Sequence, residues 1–123
     1  MSDEAHAGRH WRFYIQDMID FSEKVLIYTD GMDLEAFLAD QLRYDATLRN
    51  LELIGEAATH IPQPVRLVHA EIPWRAIIGT RNRLAHAYLT ISDSIIWGVI
   101  REAIPDFLPA LRHILDTPSE EGH

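Results

Sequence analysis

Residues 34–60 read LEAFLADQLRYDATLRNLELIGEAATH, and this stretch decides the fold class. We predict a helical stretch that begins after Asp33 as its N-cap and has a break or kink near Asp40, because the pattern is long for a single helix. Gly55 lies inside this pattern and costs about 1 kcal/mol of helix stability relative to Ala, so it predicts close packing against a neighbouring helix. The apolar and small residues recur at steps of three and four, the period of one helix face: Leu34, Phe37, Leu38, Leu42, Leu48, Leu51, Ile54, Gly55 and Ala58.

The same period continues on both sides of this stretch. Upstream, it predicts an amphipathic helix from about Trp11 to Tyr28, which Asp30-Gly31 ends because glycine suits a left-handed C-terminal cap. Downstream, Pro62 and Pro64 predict a stop, followed by a short helix that runs to His69.

Two longer helices are predicted in the second half of the chain. The first runs from about Trp74 to Tyr88, and we expect Gly79-Thr80 to loosen it. The second begins near residue 92, where either Ser92 or Asp93 can act as the N-cap.

Pro105 and Pro109 lie inside the last apolar pattern, and we expect them to kink or divide that helix. The sequence has no strand-like alternation bounded by hairpin turns and no internal repeat. We therefore predict an all-α fold, a four- to five-helix up-down bundle. Its domain is predicted at 10–116, between a flexible N-terminal segment, 1–9, and an acidic flexible tail, 117–123.

Composition excludes several classes of protein. The chain has 123 residues with 47% hydrophobic content, which suits one compact domain. It has no Cys, which excludes disulfides, thiolate metal sites and cysteine nucleophiles. The polar start predicts no signal peptide, and the longest apolar run, 95–100, is far shorter than the roughly 18 residues of a membrane span. We expect a cytoplasmic protein with no membrane partner.

The charge is distributed unevenly along the chain. The net charge is −8, but residues 1–42 carry −6, residues 43–101 carry +2 and residues 102–123 carry −4. Ten of the eleven cations are Arg, whose planar fork suits phosphate better than the point charge of Lys. The net negative charge argues against a protein that binds nucleic acid over a broad surface, whereas the basic middle of the chain is compatible with a local phosphate site.

Side chains that could take part in catalysis or phosphate binding are concentrated at residues 79–88, GTRNRLAHAY. On a regular helix Asn82 and His86 share a face, so the amide can hydrogen-bond the imidazole and fix its tautomer. Arg81 and Tyr88 differ in direction by only about 20°, whereas Arg81 and His86 lie about 140° apart and flank one stripe. Leu84 lies between these positions and is predicted to face the core.

Two interpretations of this segment stay open from composition and spacing. In one, it is an ordinary helix end with solvated arginines. In the other, it is a phosphodiester site, in which Arg neutralises the phosphate and His moves a proton. Cleavage of RNA needs no metal when the ribose 2′-hydroxyl is the nucleophile. One Arg and one His supply only part of the required groups, and a two-fold dimer would double the set.

Three blocks of the sequence resemble one known family. Residues 81–88, RNRLAHAY, resemble the Arg-x4-His-x-Tyr signature of HepT-like proteins, the toxin-type members of the HEPN superfamily. Residues 48–58, LRNLELIGEAA, resemble the second signature block of that family, and residues 72–79, IPWRAIIG, resemble the stretch that leads into the motif. The similarity covers roughly residues 11–115.

The resemblance implies a metal-independent endoribonuclease toxin without a cofactor, built as a helical bundle that forms a homodimer or a higher even oligomer. Arg81 and His86 would be the catalytic residues at a dimer cleft, with Asn82 and Arg83 in supporting roles. The substrate would be RNA. The cognate antitoxin would be a minimal nucleotidyltransferase of the MntA type, which silences the toxin by AMPylation of Tyr88.

Two other functions remain as alternatives. The chain can be a non-catalytic binding partner or substrate subunit of a nucleotidyltransferase, or a helical module that only binds a nucleotide. The first alternative predicts AMP labelling without RNA cleavage, and the second predicts direct binding of ATP or AMP.

Glu52 and Glu56 share a helix face four residues apart, and this spacing has two interpretations. They can act as paired acid/base groups or as ligands, or they can form ion pairs with Arg49 or with a motif arginine on a neighbouring helix. No metal site is predicted, because the remaining histidines lack partners at metal-ligand spacing: His60, His69 and His113.

Overall fold

The computed structural model describes residues 2–87 and 91–117, and among these the side chains of residues 11–86 and 91–117. These residues form helices and turns, and no strand occurs within the described ranges. The helices are α1 (Ser2–Tyr28), α2 (Leu34–Ala39), α3 (Gln41–Ala58), α4 (Gln63–Val68), α5 (Trp74–Ala87), α6 (Asp93–Gly98) and α7 (Ile104–Asp116), with a π-helical turn (Val99–Ala103) that joins α6 to α7. The prediction of an all-α fold is confirmed.

Four long rods form the bundle: α1, α3, α5 and the continuous rod from α6 to α7. Helix α1 packs on α3 and α7, and α3 also packs on α5. Contacts near the helix ends show that α1 runs antiparallel to α3, since Arg43 reaches the carbonyl of Tyr28 while Tyr14 contacts His60. The predicted up-down arrangement is therefore present, and the six-residue helices α2 and α4 lie in the connections.

The predicted boundaries around α2 and α3 are confirmed by their caps. Gly31 adopts φ +75°, the left-handed conformation that lets the chain turn after α1. The Asp33 carboxylate accepts a hydrogen bond from the Ala36 amide at 2.8 Å and caps α2. Asp40 ends α2 and caps α3, so the long apolar pattern is divided at the predicted place.

The apolar faces meet in one core. Fully buried side chains of α1, α2 and the last rod contribute to this core, and the connections after α3 and α4 add two more. They include Ile15, Met18, Phe37, Ile100, Ile104 and Leu111, with Ile61 and Ile72 from the connections. The described helices contain no segment long and apolar enough to cross a membrane.

A π-helical turn precedes Pro105, where we expected a kink or a division. Proline has no amide hydrogen, so the carbonyl four residues before it would lose its α-helical partner. The chain widens into the π turn instead, with the Ile104 amide bonded to the Val99 carbonyl, and the rod continues. Pro109 lies inside α7 without ending it.

Two further helix predictions need correction. Helix α1 begins at Ser2 rather than at Trp11, because polar residues can extend a helix beyond the apolar pattern that marks its buried face. Helix α5 continues through Gly79-Thr80 without a break, and the Thr80 hydroxyl donates to the carbonyl of Ala76 at 2.9 Å. The predicted end of this helix at Tyr88 and the tail beyond Thr117 lie outside the described residues.

Several arginines donate to backbone carbonyls at the ends of helices or just beyond them. Their planar forks reach two acceptors at once in three of four cases. The pairs are Arg12 with Ile114 and Leu115, Arg43 with Tyr28, Arg66 with Thr59 and Ile61, and Arg101 with Thr29 and Met32.

Candidate active site

The buried side of α5 fixes which of its residues face outward. Leu84 and Ile77 are buried in the core, as predicted for Leu84. Helical geometry then turns Asn82, Arg83 and His86 toward solvent, and each of these three is exposed. Arg81 lies between the two sides, with 30% of its side chain exposed.

Gly55 brings α3 into direct contact with α5 at Arg81. A Cβ atom at residue 55 would collide with the Cβ of Arg81 and would lie 2.9 Å from the carbonyl oxygen of Ile77. Only glycine permits the two backbones to approach so closely. This confirms the close packing that the sequence predicted, and it places the residue after Gly55 beside the Arg81 guanidinium.

That residue, Glu56, forms an ion pair with Arg81. Its Oε1 lies 2.6 Å from Nη2 of Arg81, and Glu52 pairs with Arg49 at 3.2 Å. The ion-pair interpretation of the two glutamates is therefore the one that the structure supports. Arg81 also donates from Nη1 to Oδ1 of Asn82 at 2.8 Å.

The hydrogen bond predicted between Asn82 and His86 is not present among the described contacts. The Asn82 amide oxygen accepts from Arg81 instead, because the adjacent guanidinium is a charged donor within reach. Asn82 therefore orients the arginine rather than the imidazole.

The sequence predicted no partner for His60, which lacks metal-ligand spacing to other residues, but the structure gives it two contacts. The His60 ring stacks on Tyr14 with centroids 4.4 Å apart and planes 13° apart. Its Nε2 lies 3.6 Å from Oε2 of Glu56. The spacing of four residues between Glu56 and His60 was the available signal, but Tyr14 comes from α1 and only the fold brings it there.

His86 lies exposed in the last turn of α5. No hydrogen bond or ion pair joins His86 to Arg81 within the described ranges, which agrees with their predicted positions on either side of one stripe. Arg83 is also exposed, and Tyr88 lies outside the described residues.

Comparison with known proteins identifies the family. The family model described as Ribonuclease HepT-like matches residues 18–114. The chain belongs to the HepT-like ribonuclease family. The match includes Glu56, Arg81 and His86. No solved structure matches this chain significantly.

Curated relatives of the HepT-like family cover most of this chain. A protein named Probable ribonuclease HepT from Thermococcus cleftensis is 35% identical over 97 residues, which are 79% of this chain and 88% of that protein. A putative RNase from Caldanaerobacter subterraneus subsp. tengcongensis is 33% identical over 104 residues, which are 85% of this chain and 93% of that protein. A putative RNase from Methanocaldococcus jannaschii is 27% identical over 104 residues, 85% of this chain and 86% of its own.

Two other features of this HepT-like chain bear on its chemistry. The described side chains include no group of three His, Asp or Glu residues that could hold a metal ion. A pocket of about 60 Å³ lies between α3, α5 and the last rod, and its wall is almost entirely apolar. Thr80 supplies its one hydroxyl, which donates to the backbone, so this pocket does not suit a phosphate.

Proposed function

We propose that this HepT-like chain is a metal-independent endoribonuclease in which Arg81 and His86 act on the scissile phosphate. The observation that carries the proposal is the placement of the two side chains on one helix. Arg81 is held at the surface by Glu56 and Asn82, and His86 is exposed five residues further on. The family match and the names of the curated relatives support the choice of RNA as the substrate.

The proposed chemistry uses the ribose 2′-hydroxyl as the nucleophile. Its oxygen attacks the adjacent phosphorus, the bond from phosphorus to the 5′-oxygen breaks, and the products are a 2′,3′-cyclic phosphate and a free 5′-hydroxyl. The Arg81 guanidinium stabilises the negative charge that develops on the phosphate. The His86 imidazole takes the proton from the nucleophile or gives one to the leaving oxygen. Arg83 adds a second cation near this region.

A two-fold homodimer completes the proposed site. General acid–base cleavage needs one group that accepts a proton and another that donates one. A single chain offers one His86, whereas an isologous pair brings the same surface from both copies into one cleft. The proposed assembly is therefore a dimer or a higher even oligomer.

We further propose that the protein is the toxin of a toxin–antitoxin pair, silenced by AMPylation of Tyr88. The cognate antitoxin is a minimal nucleotidyltransferase of the MntA type. Tyr88 is seven residues after Arg81, so an added anionic phosphodiester could pair with that guanidinium and fill the cleft.

Cleavage of a labelled RNA in the presence of a chelator tests the catalytic proposal. The wild type should release products with 2′,3′-cyclic phosphate ends, and His86→Ala and Arg81→Ala should each lose most of this activity. A substrate with a 2′-deoxyribose at the cleaved position should stay intact. Equal cleavage by wild type and His86→Ala, or full dependence on added Mg²⁺, would overturn the proposal.

Intact mass after incubation with ATP and the cognate nucleotidyltransferase tests the regulatory proposal. The wild type should gain whole AMP units and lose its RNase activity, and Tyr88→Phe should gain none. Labelling of Tyr88→Phe to the wild-type extent would place the modification elsewhere. Labelling of a wild type that never cleaves RNA would favour the alternative of a non-catalytic substrate subunit.

A further inference from the structure

Glu56 lies where three parts of the bundle converge. One carboxylate oxygen, Oε1, lies 2.6 Å from Nη2 of Arg81 on α5. The other, Oε2, lies 3.6 Å from Nε2 of His60, whose ring stacks on Tyr14 of α1. Of the two contacts, only the one to Arg81 is within hydrogen-bond range, and the position of the carboxylate relative to Arg81 follows from the close packing of α3 on α5 at Gly55.

The Arg81 guanidinium is fixed at two of its three nitrogens. Glu56 accepts from Nη2 and the Asn82 side chain accepts from Nη1 at 2.8 Å. Because the guanidinium is planar and carries five N–H donors, two anchors fix its plane and leave donors for a phosphate. The side chains of Arg81 and Glu56 are 30% and 46% exposed, so water reaches this ion pair and it is a surface pair.

We propose that Glu56 is a positioning residue for Arg81, which it orients toward the scissile phosphate while offsetting part of its charge. This inference rests on the proposed ribonuclease function. An oriented guanidinium meets the phosphate without a loss of rotamer freedom, which assists the transition state. A partly offset charge attracts the ground-state RNA backbone less strongly, which keeps uniform substrate binding weak.

This role makes a prediction that a merely structural contact does not. Loss of a contact that only joins α3 to α5 would lower stability and would raise KM or leave it unchanged. Loss of the Glu56 charge should instead lower KM and kcat together, because Arg81 becomes a stronger but less well oriented cation. The salt dependence of RNA binding should also become steeper, because Arg81 then neutralises a phosphate with its whole charge.

The test is Glu56→Gln, which keeps the side-chain length and an oxygen that can accept from Arg81 but removes the charge. We expect kcat to fall about tenfold, as for loss of one hydrogen bond to a charged group. We expect KM to fall about threefold, the scale of an exposed ion pair. For an all-2′-deoxy oligonucleotide, which lacks the nucleophile, the slope of log binding constant against log salt should steepen by up to about 0.7.

Glu52→Gln is the matched control. Glu52 lies one turn earlier on α3, pairs with Arg49 at 3.2 Å and has no contact with Arg81 among the described side chains. It should leave kcat, KM and the salt slope at wild-type values. Glu56→Asp restores the charge on a shorter side chain and should return the salt slope to the wild-type value. In an Arg81→Ala background, Glu56→Gln should change neither the binding constant nor the slope.

An unchanged salt slope in a folded Glu56→Gln protein, with KM equal to that of Glu52→Gln, would overturn this inference. Urea unfolding of each variant shows whether the protein is folded, and Glu56→Asp supplies the comparison if the Gln variant does not fold. A wild type that does not cleave RNA would refute the proposed ribonuclease function. The oligonucleotide salt slope still decides separately whether Glu56 controls the charge of Arg81.

Discussion

Replacement of Gly55 by alanine tests how closely α3 and α5 must approach. Alanine favours a helix over glycine by about 1 kcal/mol, so the substitution would stabilise a helix with open space at this position. Here the added Cβ would collide with the Cβ of Arg81 and would lie 2.9 Å from the Ile77 carbonyl oxygen. Neither atom is the end of a flexible side chain, so the two helices must separate.

The expected magnitude follows from these opposing effects. Overpacking that shifts backbone costs about 3 kcal/mol at the upper end of its usual range. After the gain of about 1 kcal/mol in helix propensity, the free energy of unfolding should fall by about 2 kcal/mol. In a domain of this size, that loss lowers Tm by about 8 °C. RNA cleavage should fall as well, because the separation moves Arg81 relative to Glu56.

Urea unfolding followed by circular dichroism measures this change, and the chain provides matched controls. Gly79 and Gly98 both lie in helices, and a Cβ at either position meets no atom within 4 Å. Gly98→Ala and Gly79→Ala should therefore raise stability by up to about 1 kcal/mol. Stability of Gly55→Ala at or above that of the wild type would refute the assigned close approach of the helices.

Four further substitutions test other parts of the structure. Leu84→Ala should lower the free energy of unfolding by about 2–5 kcal/mol, because the side chain is buried. His86→Ala should leave the free energy of unfolding nearly unchanged, because that side chain is exposed. Urea unfolding that gives the reverse order would mean that α5 turns its other side to the core. Asp40→Ala removes the side-chain cap of α3 and should cost about 1 kcal/mol, which chemical denaturation can measure. Partial desolvation of the Asp17 carboxyl, together with the nearby Asp20, raises the pKa of Asp17, so the folded state binds a proton at this carboxyl more tightly than the unfolded state does. The stability that comes from protonating Asp17 is lost as the pH rises through the raised pKa. Asp17→Asn should therefore have a higher free energy of unfolding than the wild type at pH 7, and this difference should shrink in acid. An advantage that did not change between pH 7 and pH 3 would contradict that assignment.

The sequence predicts those features that depend on local chemistry. The apolar period locates the helices because a buried face must recur with the helical repeat, and the caps at Asp33 and Asp40 follow from side chains that accept backbone amides. Gly55 also indicates a close helix contact, because the packing of two backbones can compensate the loss of helix stability that glycine causes relative to alanine.

Features that depend on the meeting of distant segments were not predictable in the same way. The stack of Tyr14 on His60 joins residues 46 positions apart, and no local pattern encodes it. Asn82 offered two partners of similar reach, and the structure selects the charged one. The start of α1 was placed too late because its first turns lack the apolar face that marks a buried helix.

The arginines that bind backbone carbonyls change how the basic middle of the chain should be understood. Arg43, Arg66 and Arg101 all belong to the +2 segment, yet each directs its donors at the end of a helix within its own fold. These cations hold the bundle together and do not form a track along which a polyanion could slide. These three arginines would therefore add few contacts to the phosphates of an RNA strand. The choice among sites along the strand would then depend on the groups around the reacting phosphate rather than on many phosphate contacts.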